Sequence, residues 1–184
     1  MAPLPDWRAL VYKLSPSTPA EGYGFLVTED QSTVYFFVTS EGGVCYIGTN
    51  LIIDQWQHIV GTYKENIGAE PDIKLFINGE EIDSYNCDGY SPAANNKPLY
   101  IGGNPDNDGY APYEFKGIID EVRIYNRALS ATEIQEHYNG TFTDESGLVG
   151  LWHFDEGSGT NATDASGNGN NGTLINNPQW VSVP

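Results

Sequence analysis

The sequence predicts an all-β domain, and three observations carry that prediction. Apolar runs are short and alternate with polar residues, the pattern of strands with one wet face. Turn formers recur every ten residues or so, with 21 Gly and 11 Pro in the chain. Aromatic and β-branched residues, which fit a pleated and half-buried surface, are plentiful. At 184 residues the chain is long enough for one domain with a sizeable core and short for two. No apolar run is long enough to span a membrane as a helix.

The first six residues are Pro-rich and predicted to be loose. Arg8 to Leu14 is the first predicted strand. Tyr23 to Thr28 and Val34 to Thr39 pair around the polar Glu29, Asp30, Gln31 and Ser32. Val44 to Ile47 follows, and then Trp56 to Tyr63, in which Trp56, His58, Val60 and Thr62 fall on one side. Ile73 to Ile77 leads through Asn78-Gly79 to Glu80, Glu81 and Ile82. Asn-Gly between alternating runs is a strong hairpin signal because both residues must take positive φ. Leu99 to Gly102 is the next predicted strand, followed by a loop, Asn104 to Tyr113, rich in Asp, Asn, Gly and Tyr.

Phe115 to Tyr138 reads in two halves. Ile119, Val122, Ile124 and Tyr125 alternate among Asp120, Glu121 and Arg123 as a strand. Ser130 with Glu133 is then an S-x-x-E capping box that opens a helix of about two turns. After a polar stretch, Leu148 to Phe154 alternates as a strand, and Asp155 to Gly159 forms a turn. A Gly- and Asn-rich loop, Asp164 to Gly172, precedes a last strand at Thr173 to Ile175, with Trp180 to Val183 as its continuation. Trp56, Trp152 and Trp180 fall in apolar runs and are expected in the core; Trp7 stays unassigned.

The charge is one-sided, with 25 acidic against 8 basic residues and a net charge of −17. Such a chain repels nucleic acid and anionic lipid, so neither is an expected partner. The acidity is compatible with simple solubility and with carboxylates held near Ca²⁺. Cys45 and Cys87 stand far apart with no CxxC or histidine company, which argues against zinc. A disulfide and two buried thiols both remain open. The opening MAPLPDW lacks the regions of a signal peptide. That leaves a secretory signal already removed, or a Met1 that is not the natural start.

The segment G-x-I-D-E-V-R-I-Y-N-R-A-L-S-x-x-E-I, residues 117–134, resembles the closing strand and helix of laminin-G-like domains with a concanavalin A-like jelly roll. H-I-V-G-T-Y and I-K-L-F-I-N-G-E-E-I resemble the long adjacent strands in the middle of such domains. The resemblance implies a two-sheet antiparallel jelly-roll sandwich with one short helix near 130–138. L-V-G-L-W-H-F-D-E-G-S-G-T and D-A-S-G-N-G-N-N-G-T-L resemble the family's opening, yet here they come last. The resemblance therefore implies a main body over 1–140, a linker over 141–147, and a family-opening strand with its loops over 148–184. That last piece completes the same domain or a neighbouring copy. A circularly permuted domain, a slice of a tandem array, and a subunit completed by strand exchange are the three organisations it allows. Each places the Trp152 strand beside the D-E-V-R-I-Y strand.

In related folds an Asp of the closing strand and the turn after the opening strand hold Ca²⁺. The matching positions are Asp120, Asp155 and the backbone of Gly157. Sugar rings stack on aromatic side chains while Asn and Asp meet their hydroxyls. On that ground the loop bearing Asn104, Asp106, Tyr110 and Tyr113 is the expected ligand site. Jelly-roll glycosidases resembling this fold carry E-x-D-x-x-E on one strand. Here Glu81-Ile82-Asp83 lacks the final Glu, so the expectation is a protein that is not an enzyme. His58, His137 and His153 lie in separate elements without a nucleophile motif and are expected to be packing residues. Three N-x-[ST] sequons occur at Asn139, Asn161 and Asn171.

The expected function is an extracellular or cell-surface module that binds a glycan or an extracellular protein in adhesion, with Ca²⁺ stiffening the sandwich. Membrane insertion is not expected. The alternatives are a filament or surface-layer subunit that assembles as a homo-oligomer or with a tandem-domain neighbour, and then a glycoside hydrolase or polysaccharide lyase.

Overall fold

The structure of the protein is a computed structural model that describes residues 7–15, 21–40, 43–65, 72–87, 92, 95–103 and 113–182. In chain order the first strands are β1 (Arg8–Ser15), β2 (Glu21–Val27), β3 (Thr33–Ser40), β4 (Gly43–Asn50), β5 (Ile59–Tyr63), β6 (Ile73–Ile77) and β7 (Glu80–Tyr85). Then come β8 (Tyr100–Ile101), β9 (Tyr113–Glu114), β10 (Val122–Tyr125), α1 (Ala131–Tyr138), β11 (Leu148–Trp152), β12 (Asn161–Ala162) and β13 (Gly172–Thr173). The chain divides into two compact units. One is Met1–Lys116 with Ala128–Thr143, and the other is Gly117–Arg127 with Asp144–Pro184.

The first unit is an antiparallel β-sandwich. One sheet runs β4-β3-β2-β1-β8, with β9 added in parallel to β1. The other runs β5-β6-β7. Alternation sends Phe36 and Val38 of β3 and Cys45 and Ile47 of β4 onto Ile73 and Leu75 of β6, forming the inner core. Gly61 on β5 is needed there. A Cβ at that position would sit 2.5 Å from ring atoms of Phe36.

The two cysteines form a disulfide, which resolves the alternatives in the sequence and joins β4 to the residues just after β7. Beside it the buried Asp72 carboxylate accepts from the Cys87 backbone N–H at 2.7 Å.

Two turns follow from local chemistry. Between β2 and β3 the Asp30 carboxylate accepts from the Thr28 hydroxyl (2.6 Å), the Ser32 N–H (3.0 Å) and the Ser32 hydroxyl (2.8 Å). This is an Asx turn. Between β6 and β7, Asn78 and Gly79 take φ of 52° and 85°, the left-handed pair that a two-residue hairpin demands. The Asn78 side chain also accepts from the His58 N–H at 3.0 Å, tying the turn to the entrance of β5.

α1 begins with the capping box that the sequence predicts. Ser130 Oγ accepts from the Glu133 N–H, and the Glu133 carboxylate accepts from the Ser130 N–H at 2.7 Å. Ile134 and His137 are its buried residues.

In the second unit β10 pairs antiparallel with β11, Val122 opposite Trp152, as the resemblance implies. β12 pairs with β13.

Several boundaries and burials depart from the sequence reading. Trp56 is 54% exposed and lies outside β5. The preceding loop closes on itself: the Gln57 carboxamide accepts from the Ile52 N–H (3.2 Å) and donates to the Ile52 carbonyl (3.0 Å). Asp54 turns left-handed at φ 60° within it, so the period-2 pattern takes hold only at Ile59. Trp180 is not a core residue. Its indole N–H donates to the Gly159 carbonyl, and no strand forms at 180–182. Trp152 does enter the core. The strand expected from Ile119 starts at Val122, because Glu121 has φ 54°. β11 stops at Trp152, short of Phe154, which has φ 58°.

Candidate functional site

The residues matched to a metal position all lie in the second unit. Asp120 precedes β10, and Asp155 and Gly157 lie in the turn after β11. The β10–β11 pairing brings these two ends of chain together, since Val122 and Trp152 are opposite each other. Burial pushes the Asp120 pKa up; the neighbouring Glu121 and Asp155 charges add to the rise, and the Glu121 N–H and His153 oppose it.

Two left-handed residues flank the cluster, Glu121 and Phe154, and Gly157 follows at φ 64°. A non-Gly residue held at positive φ is backbone strain that surrounding structure must maintain. Here it redirects the peptide groups on either side of the acidic pair.

Sequence reasoning misses three participants. Glu121 is clamped, with Oε1 lying 2.6 Å from His153 Nδ1 and Oε2 accepting from Arg123 Nη1 at 2.7 Å. His153 is thus a half-exposed partner of a carboxylate and not a packing residue. Glu156 directs Oε1 onto the Thr163 N–H at 2.6 Å, while its Oε2 is buried with no hydrogen-bond partner. Burial, the largest single effect, opposes its ionisation, but the Thr163 and Glu156 N–H groups, the Thr163 hydroxyl and His153 together outweigh it and its pKa is lowered. The signal for Glu156 is present in D-E-G-S-G, where it stands between the two predicted positions.

The adjacent loop at 164–172 is organised around Asp164. Its carboxylate accepts from the backbone N–H groups of Leu151 (3.0 Å), Ser166 (2.9 Å) and Asn170 (2.8 Å). Burial alone would raise its pKa. The Ser166 hydroxyl and those three N–H groups prevail and hold it at about 2. The Asn168 and Asn170 amides donate to carbonyls of β11, and the indole of Trp152 donates to the Asn170 carbonyl. The Asn168 and Asn170 amide N–H groups, the Trp152 indole and Asp164 thus fasten this loop to β11.

Among the described residues no three His, Cys, Asp or Glu side chains converge as a ready ligand set. A cation at Asp120 and Asp155 would therefore draw part of its shell from backbone carbonyls.

The expected ligand loop is only partly described. Asn104, Asp106 and Tyr110 lie outside the described residues, and so does the side chain of Tyr113, whose backbone pairs in β9. On β7, Glu81 pairs with Lys74 at 3.3 Å, and the Asp83 carboxylate accepts from the Ser84 N–H.

A family model described as the concanavalin A-like lectin/glucanases superfamily matches residues 1–135. The chain is 33% identical over 75 residues to the N,N-dimethylformamidase beta subunit of Paracoccus aminophilus, covering 38% of this chain and 10% of that protein. It is 29% identical over 99 residues to Paraclostridial mosquitocidal protein 1 of Paraclostridium bifermentans, covering 53% of this chain and 7% of that protein. It spans a tenth or less of the length of these curated relatives. Among solved structures it is similar to a candidate carbohydrate-binding protein from Bacteroides ovatus. The TM-score is 0.60 and the identity 19%, over 95% of this chain and 51% of that one.

Proposed function

The chain belongs to the concanavalin A-like lectin/glucanases superfamily, and on that premise we propose that it is a non-catalytic, Ca²⁺-stabilised module that binds carbohydrate outside the cell. The observation that carries this reading is the contrast between carboxylates and rings on the sandwich. The acidic pair of β7 is engaged in local contacts, whereas Tyr46, Trp56 and Tyr85 expose their rings. Rings with free faces are what a saccharide stacks on, and a binding module needs no free acid and base. The carbohydrate-binding description of the Bacteroides ovatus protein agrees with it. The buried disulfide favours an oxidising compartment, which supports an extracellular or cell-surface location.

The calcium part rests on the fit of the residues. Burial raises the cost of charging Asp120, and the neighbouring Glu121 and Asp155 charges add to it. A hard cation relieves that cost, with Asp120 and Asp155 as carboxylate ligands and the Gly157 backbone as a carbonyl ligand. When bound, the ion supplies charge neutralisation and stiffness at the end of the β10–β11 pair.

A glycan array tests the binding reading, and reducing-sugar release from polysaccharides tests the hydrolase alternative; release of sugar would overturn the non-catalytic assignment. Melting with Ca²⁺ against chelator tests the metal. Ion at a hundredfold over its Kd is expected to add about 2.7 kcal/mol. An unchanged Tm would remove the calcium.

A second reading draws on β7, an outer strand among the described residues. Its exposed Ile82 and Tyr85 suit assembly with another copy by strand pairing. Light scattering on a size-exclusion column decides it, and a clean monomer would dismiss it.

A further inference from the structure

We propose that the outer face of β3 and β4 around Tyr46 is a stacking site for a neutral saccharide, with Tyr46 as its exposed ring and Tyr35 and Trp7 as the rings that hold it in place. This deepens the carbohydrate-binding reading above and rests on it.

The two strands pair with Thr33 opposite Asn50, Tyr35 opposite Gly48, Phe37 opposite Tyr46 and Thr39 opposite Val44. Opposed residues share a face, and successive residues alternate. Cys45 and Ile47 go into the inner core, so these four rungs face the other way, where Phe37 and Thr39 are buried in or beside a second apolar cluster and the Tyr46, Tyr35–Gly48 and Thr33–Asn50 positions are the ones left open or half-open. On that side Tyr46 is 60% exposed on an outer strand. Its ring meets Tyr35 edge-on at a centroid distance of 6.1 Å. Tyr35 in turn stacks on Trp7 at 4.8 Å and 26°.

Gly48 makes the arrangement possible. A Cβ there would lie 2.6 Å from the Tyr35 ring, so the missing side chain lets that ring lie down on the strand. One rung beyond, the exposed Thr33 hydroxyl donates to Asn50 Oδ1 at 3.2 Å, which fixes a polar pair beside the aromatic row.

The chemistry of these rungs selects the occupant. The exposed Tyr46 ring, held edge-on by the Tyr35–Trp7 stack and with a hydroxyl and a carboxamide two rungs along, matches the apolar C–H face and the hydroxyl rim of a pyranose. None of the eight residues on the four rungs is charged. A sulfated or uronic saccharide would find no cation on them and would meet a chain of net charge −17. The structure therefore assigns the platform to a neutral saccharide and not to an anionic one.

The test is an array of neutral and anionic glycans probed with the wild-type protein, Tyr46→Ala and Tyr46→Phe, each first shown by melting to be folded. Tyr46→Thr, which keeps strand propensity, replaces the alanine variant if that one is unstable. Neutral glycans are expected to bind with little dependence on salt. Tyr46→Ala should weaken binding about tenfold or more, while Tyr46→Phe keeps it within about twofold. Unchanged binding in Tyr46→Ala overturns the platform and leaves the carbohydrate-binding reading standing. A preference for anionic glycans overturns the neutral assignment. A wild-type protein that binds no glycan on the array overturns the platform and the broader reading together.

Discussion

Asp164 shows how one side chain can organise a whole loop. Its carboxylate supplies the hydrogen-bond partner that three backbone N–H groups would otherwise lack, those of Leu151, Ser166 and Asn170. Asp164→Ala leaves these donors to whatever water can reach them and should cost about 2–3 kcal/mol. The loss is read as a fall in the denaturant midpoint at constant slope. The folded pKa of about 2 lies below the ordinary 3.8. The folded state therefore favours the charged form, and the contribution is complete above about pH 4 and lost as the pH falls toward 2. An acid titration of stability should show a component in that window that is absent in Asp164→Ala. Other single residues are illegible in the sequence for a physical reason. Glu121 and Phe154 sit at positive φ, and nothing in a Glu or a Phe announces that; only the surrounding fold holds them there. His153 reads as a packing residue because the sequence does not show that Glu121 stands across the strand pair from it.

At the scale of elements, what can be read is what local chemistry decides. The Asn78-Gly79 turn and the Ser130–Glu133 box depend on residues within a few positions of each other, and both form as expected. Ser130→Ala removes the acceptor for the Glu133 N–H and should destabilise the first unit by about 1 kcal/mol. Ser130→Asp, which restores an acceptor at the helix N-terminus, should recover most of it, and thermal melts of the two variants check this. Strand interiors are legible as short apolar, β-branched and aromatic runs, although burial on both faces hides the alternation at Phe36 to Ser40 and at Leu75 and Phe76. Strand ends and tryptophan burial are not. Trp56 has the spacing of a core residue, but the Gln57–Ile52 clamp carries it out on a loop, and a clamp between a side chain and a backbone five residues away leaves no mark on periodicity. Of the candidate site, the positions Asp120, Asp155 and Gly157 are legible through the family motif. Glu156 is not, because its lone oxygen is a fact of burial.

On the scale of the whole molecule, the all-β class is readable from many short alternating runs acting together, and the two-sheet arrangement is readable through the family resemblance. The pairing of β10 with β11 is readable only through the motif, since those strands are separated by α1 and the segment after it. The disulfide cannot be deduced from sequence, as two cysteines far apart meet only once β4 and the end of β7 are folded. It closes a sequence separation of 42 residues. A loop of that length is worth about 4 kcal/mol in the chain-entropy picture. Reductant should therefore lower the melting temperature clearly, as followed by circular dichroism with and without dithiothreitol.

The same bridge has a topological consequence. The loop with Ile52, Ile53 and Trp56 outermost lies inside the ring that Cys45 and Cys87 close. A protease that severs the chain there opens a ring without releasing either fragment. The nicked polypeptide keeps its mass and its fragments travel together, until a thiol reaches the buried sulfurs and sets them apart.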